Sequence, residues 1–400
     1  MINIDDVQAL EKMRLESDPV ADAVIAKIIG TGDTKHIQTL FNVLRQNNAV
    51  QKSSFSDLPD DLRDSVWEYF QQGDERPAFV DEDKIGIGEG VFQKYGPEIC
   101  ILLQTMALPL CYACRKGAKV LVMTGRTLDT DDQVDPLARR LLETAQFVVY
   151  AMSPGGMRKG GMGIITTLKV RLIHASIRYY ILNKHTNPSG WDVEEYGHPL
   201  NQEDLAGTLY AFSALTLHGL SKMGLQLGLE EKNAYMHCWK LVGHYNGLNP
   251  ELLTDQYEEG WELGLAILRN QAAPSQDAKD LTKSCIDFIR AIMPMGMFTG
   301  QFESMMCYFC NSIGKKTGKN MSAILGMSRY LSIFRRMEIW LMDEIFRLLG
   351  KEEKALPFLQ VEVGKFNQEF LKALSKQFFS KKGIQFYIPP GLKTNWNITV

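Results

Sequence analysis

The chain lacks Cys-x-x-Cys-His, His-Glu-x-x-His and the Gly-x-x-x-x-Gly-Lys-Ser/Thr order. These absences remove covalent haem attachment, a zincin-type zinc centre and a P-loop. An excess of one charge sign is missing too: 44 Lys and Arg against 47 Asp and Glu leave a net charge of -3. Nothing in that balance calls for nucleic acid as a partner. The start, Met1-Ile-Asn-Ile-Asp-Asp-Val, has no basic region followed by an apolar run, and no uncharged apolar run approaches the ~20 residues of a membrane-spanning helix. With seven cysteines, an odd number, the simplest expectation is reduced thiols in a cytoplasmic protein without a transmembrane segment. Repeats and low-complexity segments are absent, and strand signals are few.

What is present is a chain of 400 residues, 45% hydrophobic, long enough to bury a sizeable core. We expect one all-α domain over 1–400. Helical periodicity runs from residue 5 to 30, from His36 to Gln46, from Leu58-Pro-Asp-Asp onward, and over 98–114 with a break or kink at Pro109. Gly86, Gly88 and Gly90 read as a turn before a helix starting near Val91, since no strand precedes them as a dinucleotide fingerprint requires. Val120-Leu-Val-Met suits a strand or a buried helical turn. Further helices are expected from Asn201 to Lys222, from Glu230 to His244, over 251–269 and 278–292, from Ser322 to Leu349 and from Phe358 to Phe379. Met293-Pro-Met-Gly-Met, with Met305 and Met306, suits an irregular apolar pocket or plain core filling. Cys111/Cys114 and Cys307/Cys310 have zinc-ligand spacing, but both pairs sit in apolar helix-like sequence, where i,i+3 cysteines are ordinary core.

Two helices carry polar residues where apolar ones are expected. After Asp135-Pro136, an N-cap followed by proline at the first helical position, Leu137, Arg140, Leu141, Thr144, Val148 and Ala151 share a face, with Arg139 and Glu143 opposite. A guanidinium and a hydroxyl in that stripe must be satisfied. A Gly-rich connection, Ser153 to Gly163, leads to the helix Ile164 to Leu182. There Arg171, His174 and Arg178 share a face beside Val170, Ile173, Ile177, Tyr180 and Ile181. Buried guanidinium needs an anion. A ligand with carboxylates and a metal accepting neutral imidazole would satisfy all three residues, as haem b does through propionates and iron. The plainer alternative is a hydrogen-bonded core histidine with both arginines paired to Asp or Glu elsewhere.

Arg140-x-x-x-Thr144 followed by Arg171-x-x-His174-x-x-x-Arg178 resembles the haem-binding pattern of the latex-clearing protein (rubber oxygenase) and MpaB-type oxygenase family. The resemblance extends to Asp18-Pro-Val-Ala-Asp22, Thr124-Gly-Arg, Asn201-Gln-Glu-Asp-Leu-Ala-Gly-Thr208 with Phe212, and Trp239-Lys-Leu-Val-Gly243, covering roughly residues 15–255. It implies a globin-like helical core around non-covalently bound haem b, with 256–400 as a helical extension completing the fold. It makes His174 the proximal iron ligand, sets Arg171 and Arg178 on the propionates, and assigns Arg140 and Thr144 to the haem pocket; in an oxygenase mechanism Thr144 or Arg140 is then expected to orient bound oxygen. The implied activity is that of an oxidoreductase using O2 on a C=C bond in a hydrophobic small molecule: an isoprenoid, a terpenoid or an unsaturated lipid. A haem-binding sensor or carrier without turnover is the alternative. Some rubber-cleaving members have a lysine just before the matched threonine as a distal ligand. Glu143 stands there in this chain and is expected to point outward.

Overall fold

The computed structural model describes residues 6–46, 49–127, 136–183, 187, 190–292, 301–327 and 337. The expected N-cap Asp135, the segment 293–300 with its methionine run, most of the helix expected from Ser322 to Leu349 and the helix expected from Phe358 to Phe379 lie outside these residues.

All regular structure among the described residues is helical, apart from an isolated bridge between Cys114 and Ala272. The first helices are α1 (Val7–Met13), α2 (Pro19–Ile29), α3 (Thr34–Arg45) and α4 (Asp60–Gln71). The single expected helix over residues 5–30 is thus two. Asp18 caps the second by accepting from the Ala21 N–H, and Pro19 occupies its first turn.

Next, α5 (Glu82–Leu102) passes through a π-helical turn, Leu103–Ala107, into α6 (Leu108–Ala113). The glycine run does not precede a helix; it lies inside α5. A Cβ on Gly88 would stand 2.6 Å from the Ala234 carbonyl oxygen and the Cys238 sulfur, so this glycine lets α5 and the later helix α13 touch backbone to backbone. The stretch Glu82–Ala113 is long and apolar enough to cross a membrane, yet 83% of its apolar window is buried in the fold.

The chain continues through α7 (Arg115–Thr127), α8 (Pro136–Met152), α9 (Met162–Leu182) and α10 (Val193–Tyr196). Val120-Leu-Val-Met is therefore helical. The expected helix from Asn201 divides into α11 (Gln202–Phe212) and α12 (Ala214–Lys222), because Ser213 leaves helical geometry at φ -109°, ψ -91°. Then follow α13 (Leu229–Tyr245), α14 (Tyr257–Gln271), α15 (Gln276–Ile292), α16 (Gln301–Thr317) and α17 (Met321–Ile324). The core has two centres. The α5–π-turn–α6 rod packs against α13, α12, α11 and α16, while α9 is held between α2, α8 and α13.

Candidate functional site

Helix α9 buries Leu168, Leu172 and Ala175 in the core. The strip expected to be its buried face is less enclosed: Ile181 is buried, Val170, Ile173 and Ile177 are half-buried together with His174, and Tyr180 is exposed. The imidazole therefore stands in an apolar strip that the described residues do not close. Its Nδ1 is fully enclosed and has no hydrogen-bond partner among them. Burial first, and then the Arg178 charge, push the His174 pKa down to about 3. The ring is neutral at physiological pH, with a nitrogen lone pair available to a metal.

The two arginines beside it are not waiting for an external anion. Arg171 donates from Nε to Asp18 Oδ2 at 2.5 Å and from Nη2 to Asp18 Oδ1 at 2.8 Å, a bidentate pair. Arg178 donates from Nε to Asp22 Oδ1 at 2.7 Å and from Nη1 to the Leu200 carbonyl at 3.2 Å. Leu200 is the one non-glycine described with positive φ, at 52°. Both guanidiniums thus have carboxylate partners within the chain, the plainer of the two alternatives the sequence left open. Of the nitrogens of these two guanidiniums, Arg178 Nη2 is the one left enclosed without a partner among the described residues.

Around the Asp18–Arg171 pair the packing is tight. Tyr69 lies under the Arg171 guanidinium, 5.8 Å from ring centroid to Cζ, and donates to the Leu168 carbonyl at 2.9 Å. Gly247 (φ 80°) covers the pair: a Cβ there would come within 2.5 Å of Asp18 Oδ2 and 2.6 Å of Arg171 Nε. Gln202 Nε2 donates to the carbonyls of Ser17 and Gly247, at 2.9 and 3.0 Å, tying the start of α2 to the turn after α13.

On α8, which packs directly against α9, Arg140 and Thr144 are half-buried and Glu143 is exposed, as their helical positions require. Arg140 reaches α7, donating to the Leu121 carbonyl at 3.0 Å and to Thr124 Oγ1 at 2.6 Å. The Thr144 hydroxyl donates back to the Arg140 carbonyl at 2.8 Å. Phe147 continues the half-buried strip and meets Trp239 of α13 at 6.5 Å between centroids. Arg140 and Thr144 thus lie on the helix next to that of His174, and no described hydrogen bond joins the two groups.

Sequence reasoning missed Asp22, Tyr69 and Gly247 as site residues. It also missed Lys169, which is buried on another face of α9, donates to the Gln46 carbonyl at 2.7 Å, and is pushed by burial down to about 8. The cysteine pairs are separate core features. Cys310 donates to the Thr105 carbonyl at 3.7 Å and Cys114 to the Leu110 carbonyl at 3.6 Å. Burial drives both thiols well up.

The family described as ER-bound oxygenase mpaB/B'/Rubber oxygenase, catalytic domain, matches residues 99–327. The chain belongs to this family. The rubber oxygenase of Streptomyces sp. (strain K30) is 19% identical over 274 residues, 68% of this chain and 63% of that protein. The chain thus matches less than two thirds of that relative's length. The structure of latex clearing protein LCP in the closed state superposes with a TM-score of 0.68 at 16% identity, covering 90% of this chain and 91% of that one. At that identity the mpaB/rubber oxygenase likeness shows a shared all-α fold. The family match itself contains α8, α9, α11 and α13, and so every element of the His174 site except α2 and α4.

Proposed function

We propose that the chain is a haem b-dependent oxygenase that uses O2 to cleave or oxygenate a C=C bond in an isoprenoid, a terpenoid or an unsaturated lipid. The observation that carries this reading is His174: a neutral imidazole whose enclosed Nδ1 has no hydrogen-bond partner among the described residues, set in a half-buried aliphatic strip. The large majority of buried side-chain polar atoms are hydrogen-bonded. The mpaB/rubber oxygenase membership supplies the reaction class.

The donor set fits haem at one point, the imidazole, which would hold the iron. Bound haem supplies dioxygen chemistry at that iron. The chain's own residues then have separate tasks. Val170, Ile173, Ile177 and Phe147 exclude water and give a greasy substrate apolar surface. Arg140 holds α8 to α7 through Leu121 and Thr124, and so places Thr144. The Thr144 oxygen, whose proton is committed to the Arg140 carbonyl, keeps lone pairs that accept a hydrogen bond in the pocket. Arg171 and Arg178 are assigned to holding the histidine helix. A cytoplasmic location remains part of the proposal, on the odd number of cysteines in the sequence.

The test is an absorption spectrum of the purified chain, followed by incubation of reduced protein with O2 and unsaturated isoprenoids. A Soret band that vanishes in His174→Ala, together with carbonyl products, is the expected result. Full haem content in that variant removes the ligand assignment. A haem-loaded protein that yields no product from any alkene favours a sensor or carrier.

A further inference from the structure

Resting on the haem reading above, we propose that Asp18 and Asp22 are positioning residues for His174, fixing the helix that carries the imidazole and cancelling the positive charge on either side of it. The carboxylates stand one turn apart at the start of α2, and the guanidiniums two turns apart on α9. His174 lies between the arginines, so the two ion pairs bracket it along the helix. Each pair crosses from α2 to α9, and two such crossings stop α9 from sliding or rotating where the imidazole is attached. The first crossing is closed over by Gly247 and held by Gln202, as described above.

The two pairs are not equivalent. Asp18 satisfies Arg171 with both oxygens and is itself buried. Asp22 gives Arg178 one bond, and its side chain keeps 31% exposure while that of Arg178 keeps 2%. Of the two, the Asp22–Arg178 pair sets the less completely neutralised cation one helical turn from His174. Remove the Asp22 charge, and the Arg178 cation acts uncompensated in a low-dielectric setting. A positive charge close to haem iron favours the lower-charged, one-electron-reduced state.

The experiment is a spectroelectrochemical titration of the full-length, haem-loaded protein, with the rate of haem transfer to excess apomyoglobin measured alongside. Asp22→Asn is expected to raise the midpoint potential, Asp22→Glu to leave it near wild type, and the double variant Asp22→Asn/Arg178→Gln to bring it back. Asp18→Asn is expected to speed haem loss by roughly tenfold or more, a loosened ligand helix being worth at least about one factor of ten in binding. A fall in thermal midpoint with unchanged potential and unchanged haem transfer in all these variants overturns the inference and leaves the oxygenase reading intact. A wild-type protein with no Soret band overturns both.

Discussion

Asp18 and Arg171 are 153 residues apart in the chain, yet they form the most completely satisfied ion pair at the site, two parallel contacts of 2.5 and 2.8 Å. Both are buried, so their desolvation is offset only while they remain together. Asp18→Ala leaves an enclosed guanidinium without its anion, and also removes the cap of α2. It is expected to lower unfolding free energy by about 3–5 kcal/mol. Asp18→Ala/Arg171→Met removes both charges and is expected to recover a good part of that loss. Urea unfolding of wild type and the two variants measures this; a double variant as unstable as the single would show that charge burial is not the cause.

Two glycines hold close approaches that any side chain would break. Gly247 combines φ 80° with the Asp18 and Arg171 atoms within 2.6 Å of a Cβ. Gly88 faces backbone of α13 at 2.6 Å. Gly247→Ala and Gly88→Ala are each expected to destabilise by about 1–3 kcal/mol, through strain in one case and overpacking in the other. Gly86→Ala is the control. A Cβ there meets nothing within 4 Å, and alanine favours the helix, so the variant is expected to be neutral or slightly stabilising. Thermal melts of the three variants rank them.

Helical periodicity made the face shared by Arg171, His174 and Arg178 legible, because i, i+3 and i+7 positions stay together on any helix. The outward turn of Glu143 and the Arg140–Thr144 stripe were legible for the same reason. What the arginines bind was not. Their partners come from the first turn of α2, and a pairing across more than 150 residues leaves no local signal. The spacing of Asp18 and Asp22 is a hint only in retrospect. Gly86-x-Gly88-x-Gly90 misled for a different reason. Local propensity stops a helix there, but the contact of Gly88 with α13 outweighs it. The division at Ser213 and the separation of α1 from α2 are likewise backbone events inside continuous apolar patterns.

Acid is expected to weaken the fold through its buried histidines. His237 is buried; its Nε2 accepts from the Asp81 N–H at 3.0 Å, so the proton sits on Nδ1 and is shared with Asp255 at 3.2 Å. Burial lowers the His237 pKa despite Asp255, and burial likewise pushes His218 down to about 4. As pH drops through ~6.5, the ordinary histidine value, the unfolded chain takes up these protons and the folded chain does not. Stability is therefore full above that pH and falls below it. Asp255, held below the usual range by Lys84 and Lys240, adds a further loss nearer pH 4. Urea midpoints at pH 7.5, 6 and 5 are expected to decrease in that order, with a shallower slope in His237→Gln. A midpoint that is flat from 7.5 to 5 contradicts the buried neutral histidines.

Gln104 sits in the π-helical turn Leu103–Ala107 with 1% of its surface exposed, and neither its amide nitrogen nor its amide oxygen has a partner among the described residues. An enclosed, unpaired carboxamide lowers stability by about 1–3 kcal/mol relative to a group that forms no hydrogen bonds. Methionine has nearly the same length and fills the same space without polar atoms. Gln104→Met is therefore expected to raise the unfolding free energy by about 1–2 kcal/mol. Helices form π turns mostly at working sites, and on the oxygenase reading proposed above this carboxamide is assigned to a ligand or substrate. On that reading the more stable variant is expected to turn over an alkene substrate more slowly or to bind it less tightly. Should Gln104→Met instead destabilise the fold, the carboxamide has a structural hydrogen-bond partner and the functional reading of the π turn is withdrawn.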